Sequence, residues 1–157
     1  MKIMHLATLL LSVTSIGLAQ AKSTIAISSY DDNYFMGSYS TDINEKIYKD
    51  AGETELESLD DFEVKYQISL SLPLLQISDQ SAFMAAYTQR SLWQMANREA
   101  SSPFRETNYQ PQLFMLHNVD LAVFNSLEYG YKHQSNGRGN DLSRSWERYY
   151  VKLESLG

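Results

Sequence analysis

The chain has 157 residues, 43% of them hydrophobic, a formal net charge of −6 and no cysteine. That length suits one domain, and the lack of cysteine excludes a disulfide framework and thiolate chemistry. The negative charge argues against nucleic acid as a partner, because phosphate binding needs a basic surface. Eleven tyrosines and two tryptophans suit either a membrane β-barrel or a soluble β-sandwich, and composition does not choose between them.

The first residues have the features of a secretory signal peptide. Lys2 precedes an apolar run over residues 6–18, and a small-residue Ala-Gln-Ala site ends at Ala21. We expect cleavage there, which divides the chain into a signal peptide at 1–21 and one domain at 22–157. The sequence offers no later window of about 18 consecutive apolar residues, so a helical membrane protein is not expected.

Strands are predicted along most of the remaining sequence. From Phe62 to Leu72 apolar and polar side chains alternate without a break, which is typical of a β-strand. A length of about 11 residues suits a tilted bilayer crossing, and Pro73 is expected to end the strand because it lacks an amide donor. About six strands are predicted in all, the others being Tyr34–Asp42, Ser81–Trp93, Tyr109–Leu116, Leu121–His133 and Ser145–Leu153.

Two polar segments lie between these strands. Residues 44–61 carry seven carboxylates, five of them at Glu53, Glu55, Glu57, Asp60 and Asp61. The segment is interpreted as a solvated loop or short helix, with a cation site as the alternative. Residues 97–108 carry Arg98, Glu99, Arg105 and Glu106 and are also predicted to form a loop.

His133 and Ser135 are the candidate catalytic pair. Outside the expected signal peptide the sequence has only two histidines, His117 and His133, and histidine is the usual base that activates a serine. His133 and Ser135 are two residues apart, hence on one side of an extended strand and about 6.6 Å apart along it. An ordinary hairpin turn is the alternative, because Asn136-Gly137 is also a common turn signal.

The odd-numbered face of the two last strands is apolar around this pair. Residues on that face include Leu121, Val123, Leu127, Tyr129, Tyr131, Tyr149, Val151 and Leu153. Glu147 shares the face, and a charge facing lipid is costly unless it is paired or lies near the interface. Ser135, His133 and Glu147 would together form a serine-histidine-carboxylate site directed at lipid. Alternatively, Glu147 extends to headgroup water and pairs with Arg144 or Arg148, which leaves a serine-histidine dyad.

Gln89 is a lone amide on another apolar face. Its neighbours on that face are Phe83, Ala85, Tyr87 and Trp93. An amide facing lipid needs a partner, so Gln89 is expected to contact the same patch of a second subunit. The alternative is that it is solvated near the headgroups.

The chain resembles the outer-membrane phospholipase A family from about Tyr30 to Leu153. The clearest blocks are Ser101–Tyr109, His133–Arg138 and Ser143–Trp146 together with Arg148. Weaker similarity lies at Val64–Pro73 and Tyr87–Gln89. These ordered blocks are much more specific than a His-x-Ser spacing.

The resemblance implies an all-β, antiparallel transmembrane β-barrel of the Gram-negative outer membrane. It also implies a calcium-dependent homodimer that hydrolyses acyl esters of phospholipids and lysophospholipids. Its implied catalytic groups are His133 as base, Ser135 as nucleophile, and the Gly137 amide, helped by a water on Ca²⁺, as oxyanion hole. The implied calcium ligands at the dimer interface are Ser101 of one subunit with Ser143 and the carbonyl of Arg138 of the other, and such oxygen ligands suit calcium.

Two departures from the family pattern matter. Glu147 stands where the family has an asparagine, and we expect it to act as the third triad member because a carboxylate can accept the imidazole N–H. About six strands are predicted where the family barrel has about twelve. Residues 22–157 alone are therefore not expected to close a barrel, which points to a fragment, an early stop or assembly with a second piece. The rival hypothesis is a non-catalytic outer-membrane barrel or a truncated, inactive form of the enzyme.

Overall fold

The computed structural model describes residues 26–121 and 123–155. The expected signal peptide at 1–21 lies outside these residues. Seven strands account for most of the described chain: β1 (Ser28–Ser29), β2 (Tyr34–Tyr39), β3 (Phe62–Ser78), β4 (Ser81–Trp93), β5 (Phe104–Leu121), β6 (Phe124–Ser135) and β7 (Ser145–Glu154). One short α-helix, α1 (Lys46–Asp50), and two 3₁₀ turns, Thr54–Leu56 and Asn140–Leu142, lie in the loops. No helix of the described part is long and apolar enough to cross a membrane.

The strands form one antiparallel sheet in the order β1-β3-β4-β5-β6-β7, and β2 pairs with β3 beside β1. From β3 onward, each strand pairs with the next one in the chain. Within the described residues β7 pairs only with β6, so the sheet remains open. The fold is therefore all-β and antiparallel, as predicted, and it is part of a barrel wall rather than a closed barrel.

The sheet buries its polar face and exposes its apolar face, the reverse of the arrangement in a soluble protein. One face buries polar side chains, among them Gln67, Ser69, Thr88, Gln112 and Glu128. The opposite face exposes large apolar side chains, among them Ile68, Leu70, Tyr87, Leu113, Tyr129 and Val151. Polar side chains inside and apolar ones outside are typical of a membrane β-barrel, and this pattern disfavours the soluble sandwich that composition had left open.

The sheet curls towards its polar face. Tyr30 precedes β2, yet its hydroxyl donates to the carboxylate of Glu128 on β6. The hydroxyl of Tyr150 on β7 donates to the same carboxylate oxygen. Neighbouring strands lie about 4.8 Å apart, so a flat sheet would hold these groups well apart. The polar face is therefore concave and the apolar face convex.

Gly130 permits a close approach of β5 and β6. A Cβ atom at this position would lie 2.3 Å from the Leu113 carbonyl oxygen and 2.5 Å from the Phe114 Cβ. Phe114 is 2% exposed and packs against the Tyr30 ring at 5.3 Å between centroids. The glycine thus leaves room for the main aromatic contact of the concave face.

The observed strands differ from the predicted ones in several places. β4 has the predicted bounds, whereas β5 and β6 extend further towards the loops, to Phe104 and Ser135. The expectation that Pro73 ends its strand is wrong, because β3 continues to Ser78. A register shift follows Pro73, and beyond Ser71 this strand is paired only with β4 in the described chain. An unpaired edge is where a proline without an amide donor is tolerated.

Long loops and tight turns lie at opposite ends of the sheet. The long connections 40–61, 94–103 and 136–144 share one end, here named the loop end. There Tyr48, Leu56 and Leu142, each at most 7% exposed, form a small hydrophobic core. Residues 44–61 contain the predicted short helix, but they are not merely solvated, because this core binds them to the 136–144 loop.

Candidate functional site

The register of β6 and β7 brings the candidate catalytic residues together at the loop end. His133 lies opposite Glu147, and Ser135 lies opposite Ser145. The His133 Nδ1 is 3.5 Å from the Glu147 Oε1, and the two side chains are 33% and 63% exposed. These odd-numbered residues share the convex face with Tyr131 and Tyr149. The site therefore faces the surroundings of the barrel wall and not its polar interior.

Ser135 is the last residue of β6. Since the carboxylate of Glu147 lies beside Nδ1 of His133, the other ring nitrogen, Nε2, is free to take a proton from a serine. Within the described residues no hydrogen bond joins Ser135 to His133. A serine and a histidine two residues apart on one strand face need only side-chain rotation to approach.

The two arginines near Glu147 are occupied elsewhere. Arg144 forms an ion pair with Glu106, with 2.8 Å between its Nη2 and Oε2 of the carboxylate. The Arg148 guanidinium lies 4.0 Å above the Trp146 ring. The alternative in which Glu147 pairs with one of these arginines is therefore not the observed arrangement.

Asn136 shapes the loop that follows Ser135. Its side chain is 5% exposed and donates to the Leu142 carbonyl at 2.7 Å, while its Oδ1 accepts from the Arg144 amide at 3.0 Å and the Arg138 amide at 3.3 Å. Gly137 has a positive φ of 66°, a conformation that favours glycine. A Cβ there would also lie 3.1 Å from the Tyr109 ring. The loop conformation thus depends on a glycine two residues after the serine.

The three residues implied as calcium ligands lie on two loops. Arg138 and Ser143 belong to the 136–144 loop, and Ser101 belongs to the 94–103 loop. Ser101 and Ser143 are exposed, and Ser101 and Ser102 both have a positive φ, 61° and 54°. In the described chain no three His, Asp or Glu side chains gather to hold a metal. The expected ligands are hydroxyl and carbonyl oxygens, which suit calcium in chemistry and leave room for ligands from a second chain.

Two buried asparagines were missed by the sequence analysis. Asn136 organises the 136–144 loop, and Asn97 does the same for the 94–103 loop. Asn97 is 6% exposed, accepts from the Ala100 amide at 3.1 Å and donates to the Ser58 carbonyl at 2.8 Å. Asparagine side chains commonly bond backbone groups in turns, so their positions within the four residues that follow a strand were the available signal.

A second serine-histidine pair lies at the opposite end of the sheet. The Ser81 Oγ is 2.7 Å from Nδ1 of His117, and Nε2 of His117 is 3.2 Å from the Tyr129 hydroxyl. The other ring nitrogen thus faces a phenol and not a carboxylate. This pair lies beside the tight turns, away from the 136–144 loop, and is the weaker candidate for nucleophilic catalysis.

An apolar groove of about 530 Å³ lies on the convex face near the site. Its lining includes Leu113, Met115, Tyr131, Tyr149 and Val151. Tyr131 is two residues before His133 on the same face, so the groove leads away from the site along the wall. The groove is open, and its apolar lining suits contact with a hydrocarbon chain.

Gln89 has partners within the chain. Its amide nitrogen donates to the Ser91 hydroxyl at 3.2 Å and to the Tyr66 hydroxyl at 3.3 Å, and its oxygen accepts from Tyr87 at 3.1 Å. The amide therefore does not need a second subunit for hydrogen bonding. Its contact across a dimer stays a prediction, without the energetic argument that first suggested it.

Comparisons with known proteins show the family. Residues 12–155 match the Phospholipase A1 family. The chain is 41% identical to a Phospholipase A1 of Proteus vulgaris over 142 residues, 87% of this chain and 48% of that protein. It is 39% identical to the Phospholipase A1 of Escherichia coli K12 over the same shares of both chains. This chain thus spans about half the length of the curated relatives it matches.

Solved structures are similar as well. A Salmonella typhi outer membrane phospholipase dimer with bound calcium matches with a TM-score of 0.75 and 39% identity, over 83% of this chain and 53% of that one. An Escherichia coli outer membrane phospholipase A with an asparagine-to-alanine change in its active site matches with a TM-score of 0.74 and 40% identity, over 87% and 55%. The antiparallel sheet with its apolar face outward belongs to the class of outer-membrane β-barrels. Within it, the chain belongs to the phospholipase A1 family.

Proposed function

We propose that this chain carries the catalytic part of an outer-membrane phospholipase that hydrolyses acyl esters of phospholipids and lysophospholipids, with both A1 and A2 activity. The observation that carries the proposal is the cross-strand alignment of His133 with Glu147 on the convex apolar face, with Ser135 two residues from the histidine. A soluble substrate would not need a site on that face. A lipid reaches it from the bilayer.

In the proposed mechanism Ser135 Oγ attacks the ester carbonyl while Nε2 of His133 takes the serine proton. Glu147 stabilises the imidazolium through Nδ1, and the Gly137 amide donates to the developing oxyanion. His133 then protonates the departing alcohol. Water, activated by the same histidine, hydrolyses the acyl-enzyme and releases a fatty acid.

Calcium is the proposed metal, supported by the relative whose structure contains it. Ser101, Arg138 through its carbonyl and Ser143 would hold the ion. When bound, the ion would supply positive charge beside the oxyanion. The ligands' position on two exposed loops supports a site shared between two copies of the chain, so we propose a homodimer as well.

The proposed location is the Gram-negative outer membrane, after removal of residues 1–21, with residues 22–157 as the barrel domain. Support comes from the exposed apolar face, from the named location of the structural relatives, and from the segregation of long loops and short turns.

Fatty acid release from phospholipid vesicles tests the function. The chain should release fatty acid when calcium is added, and Ser135→Ala should abolish the release. Ser145→Ala is the matched control, because Ser145 is the cross-strand neighbour of Ser135 and is exposed; it should keep most of the activity. Equal rates for the two alanine variants would exclude Ser135 as the nucleophile, and no release by the unaltered chain would support the non-catalytic alternative.

A further inference from the structure

We propose that Glu53 and Tyr48 are positioning residues of the ester hydrolysis: they clamp the side chain of Arg138 and thereby fix the backbone that carries the Gly137 amide. This inference rests on the proposed function and deepens it. Neither residue is expected to touch the substrate. The clamp crosses from the acidic 44–61 segment, which the sequence had suggested to be solvated, to the loop after Ser135.

The Arg138 side chain is held by groups from outside its own loop. Its Nη1 is 3.2 Å from Oε1 of Glu53, and its guanidinium carbon lies 5.7 Å from the centre of the Tyr48 ring. Its Nη2 donates to the Arg105 carbonyl at 3.0 Å. The side chain is 17% exposed, although arginine is usually at the surface. A guanidinium is suited to this use, because its planar group of donors fixes direction as well as distance.

The 44–61 segment is itself anchored to the barrel wall. Arg105, on β5, donates to both carboxylate oxygens of Glu63, on β3, at 2.6 and 2.7 Å. The same guanidinium reaches the Tyr48 hydroxyl at 3.3 Å. Glu63 is 2% exposed, and a buried two-point pair of this kind is among the stronger polar contacts. The contact with Arg105 on β5 thus holds Tyr48 in position independently of Arg138.

The 136–144 loop contacts the 44–61 segment at a second point. Leu142 packs with Tyr48 and Leu56, while Asn136 holds the Leu142 carbonyl and the Arg138 amide. The Gly137 amide lies between two residues, Asn136 and Arg138, that are both held. Because an oxyanion donor acts only at the right distance from the reacting oxygen, loosening the Arg138 side chain should weaken this donor and leave substrate binding on the apolar face intact.

Three variants of the full chain test the clamp. Glu53→Gln keeps the size of the side chain and removes its charge, Glu53→Asp keeps the charge, and Glu57→Gln is the control in the same segment, since Glu57 is exposed. We expect Glu53→Gln to lower kcat about tenfold, the lower end for partners that orient a site, with KM changed less than about twofold. Glu53→Asp should recover part of kcat, and Glu57→Gln should behave as the unaltered chain.

Hydrogen exchange of the 136–144 amides supplies a readout that needs no turnover. Glu53→Gln should speed exchange in this loop and leave the β3–β4 amides unchanged, and it should have no further effect in an Arg138→Gln background. Equal exchange and equal kcat for Glu53→Gln and Glu57→Gln would overturn the clamp in an active protein. An unaltered chain that releases no fatty acid refutes the proposed function instead, and faster exchange in Glu53→Gln would still support the contact.

Discussion

Replacing Glu147 by alanine is expected to slow ester hydrolysis about tenfold, because His133 loses the group that orients and stabilises it. Two unit charges about 4 Å apart attract by about 4 kcal/mol at a protein surface, whereas fully exposed pairs contribute about 0–1 kcal/mol. Here the distance is 3.5 Å, the histidine is 33% exposed and the carboxylate 63% exposed. The loss should lie between these two limits and closer to the lower one, at about 1.4 kcal/mol, which is tenfold in rate.

The assay is initial-rate fatty acid release from mixed micelles with saturating calcium. Glu147→Asn should keep much of kcat, since an amide oxygen also accepts the imidazole N–H and an asparagine occupies the equivalent family position implied by the resemblance. Glu55→Ala removes an exposed carboxylate from the loop end and controls for the change in net charge. If Glu147→Ala and Glu147→Asn both ran at the unaltered rate, the carboxylate would be a surface charge and the site a dyad.

Three further predictions concern stability, pH and assembly. Gly130→Ala should destabilise the sheet by about 1–3 kcal/mol, because the added Cβ would lie 2.3 Å from a backbone oxygen. Gly139→Ala is the control and should be nearly neutral, because a Cβ there has nothing within 4 Å. Equal urea midpoints for the two variants would contradict the close approach. A hydrogen bond from the Leu59 amide, followed by the Lys49 ammonium, holds the pKa of Glu45 below its usual range. The stability that ionised Glu45 contributes to the packing of residues 44–61 is therefore complete above its unfolded pKa of about 4.3. This stability is lost as the pH falls through the lowered pKa. The protection factor of the Leu59 amide, its exchange rate relative to the intrinsic rate at the same pH, should therefore fall at low pH, and Glu45→Gln should remove that dependence. Finally, a polypeptide of residues 22–157 alone should not give a heat-modifiable, protease-resistant monomeric barrel, because an open sheet leaves unpaired edges in lipid; recovery of such a monomer would show that the edges close.

The strands and the shared face of His133, Ser135 and Glu147 were predictable from the sequence because both depend on a period of two. Ser81–Trp93 was predicted with its observed bounds, and His133, Ser135 and Glu147 were assigned to one face by counting alone. The continuation past Pro73 was not predictable, since it depends on which edge of β3 is unpaired. The loop-end contacts were also missed, because Tyr48, Glu53 and Arg138 are separated by up to 90 positions and share no local pattern. Long-range packing between loops cannot be predicted from local sequence patterns.

The central claim is that Ser135 is the nucleophile activated by His133. A sulfonyl fluoride incubated with the chain, followed by peptide mapping, tests it most directly, because Ser81 and His117 form a second pair in hydrogen-bond contact at 2.7 Å that serves as an internal competitor. The label should appear on Ser135, should disappear in His133→Ala and should persist in His117→Ala. A label on Ser81 with Ser135 unmodified, or labelling of Ser135 that survives His133→Ala, would contradict the assignment.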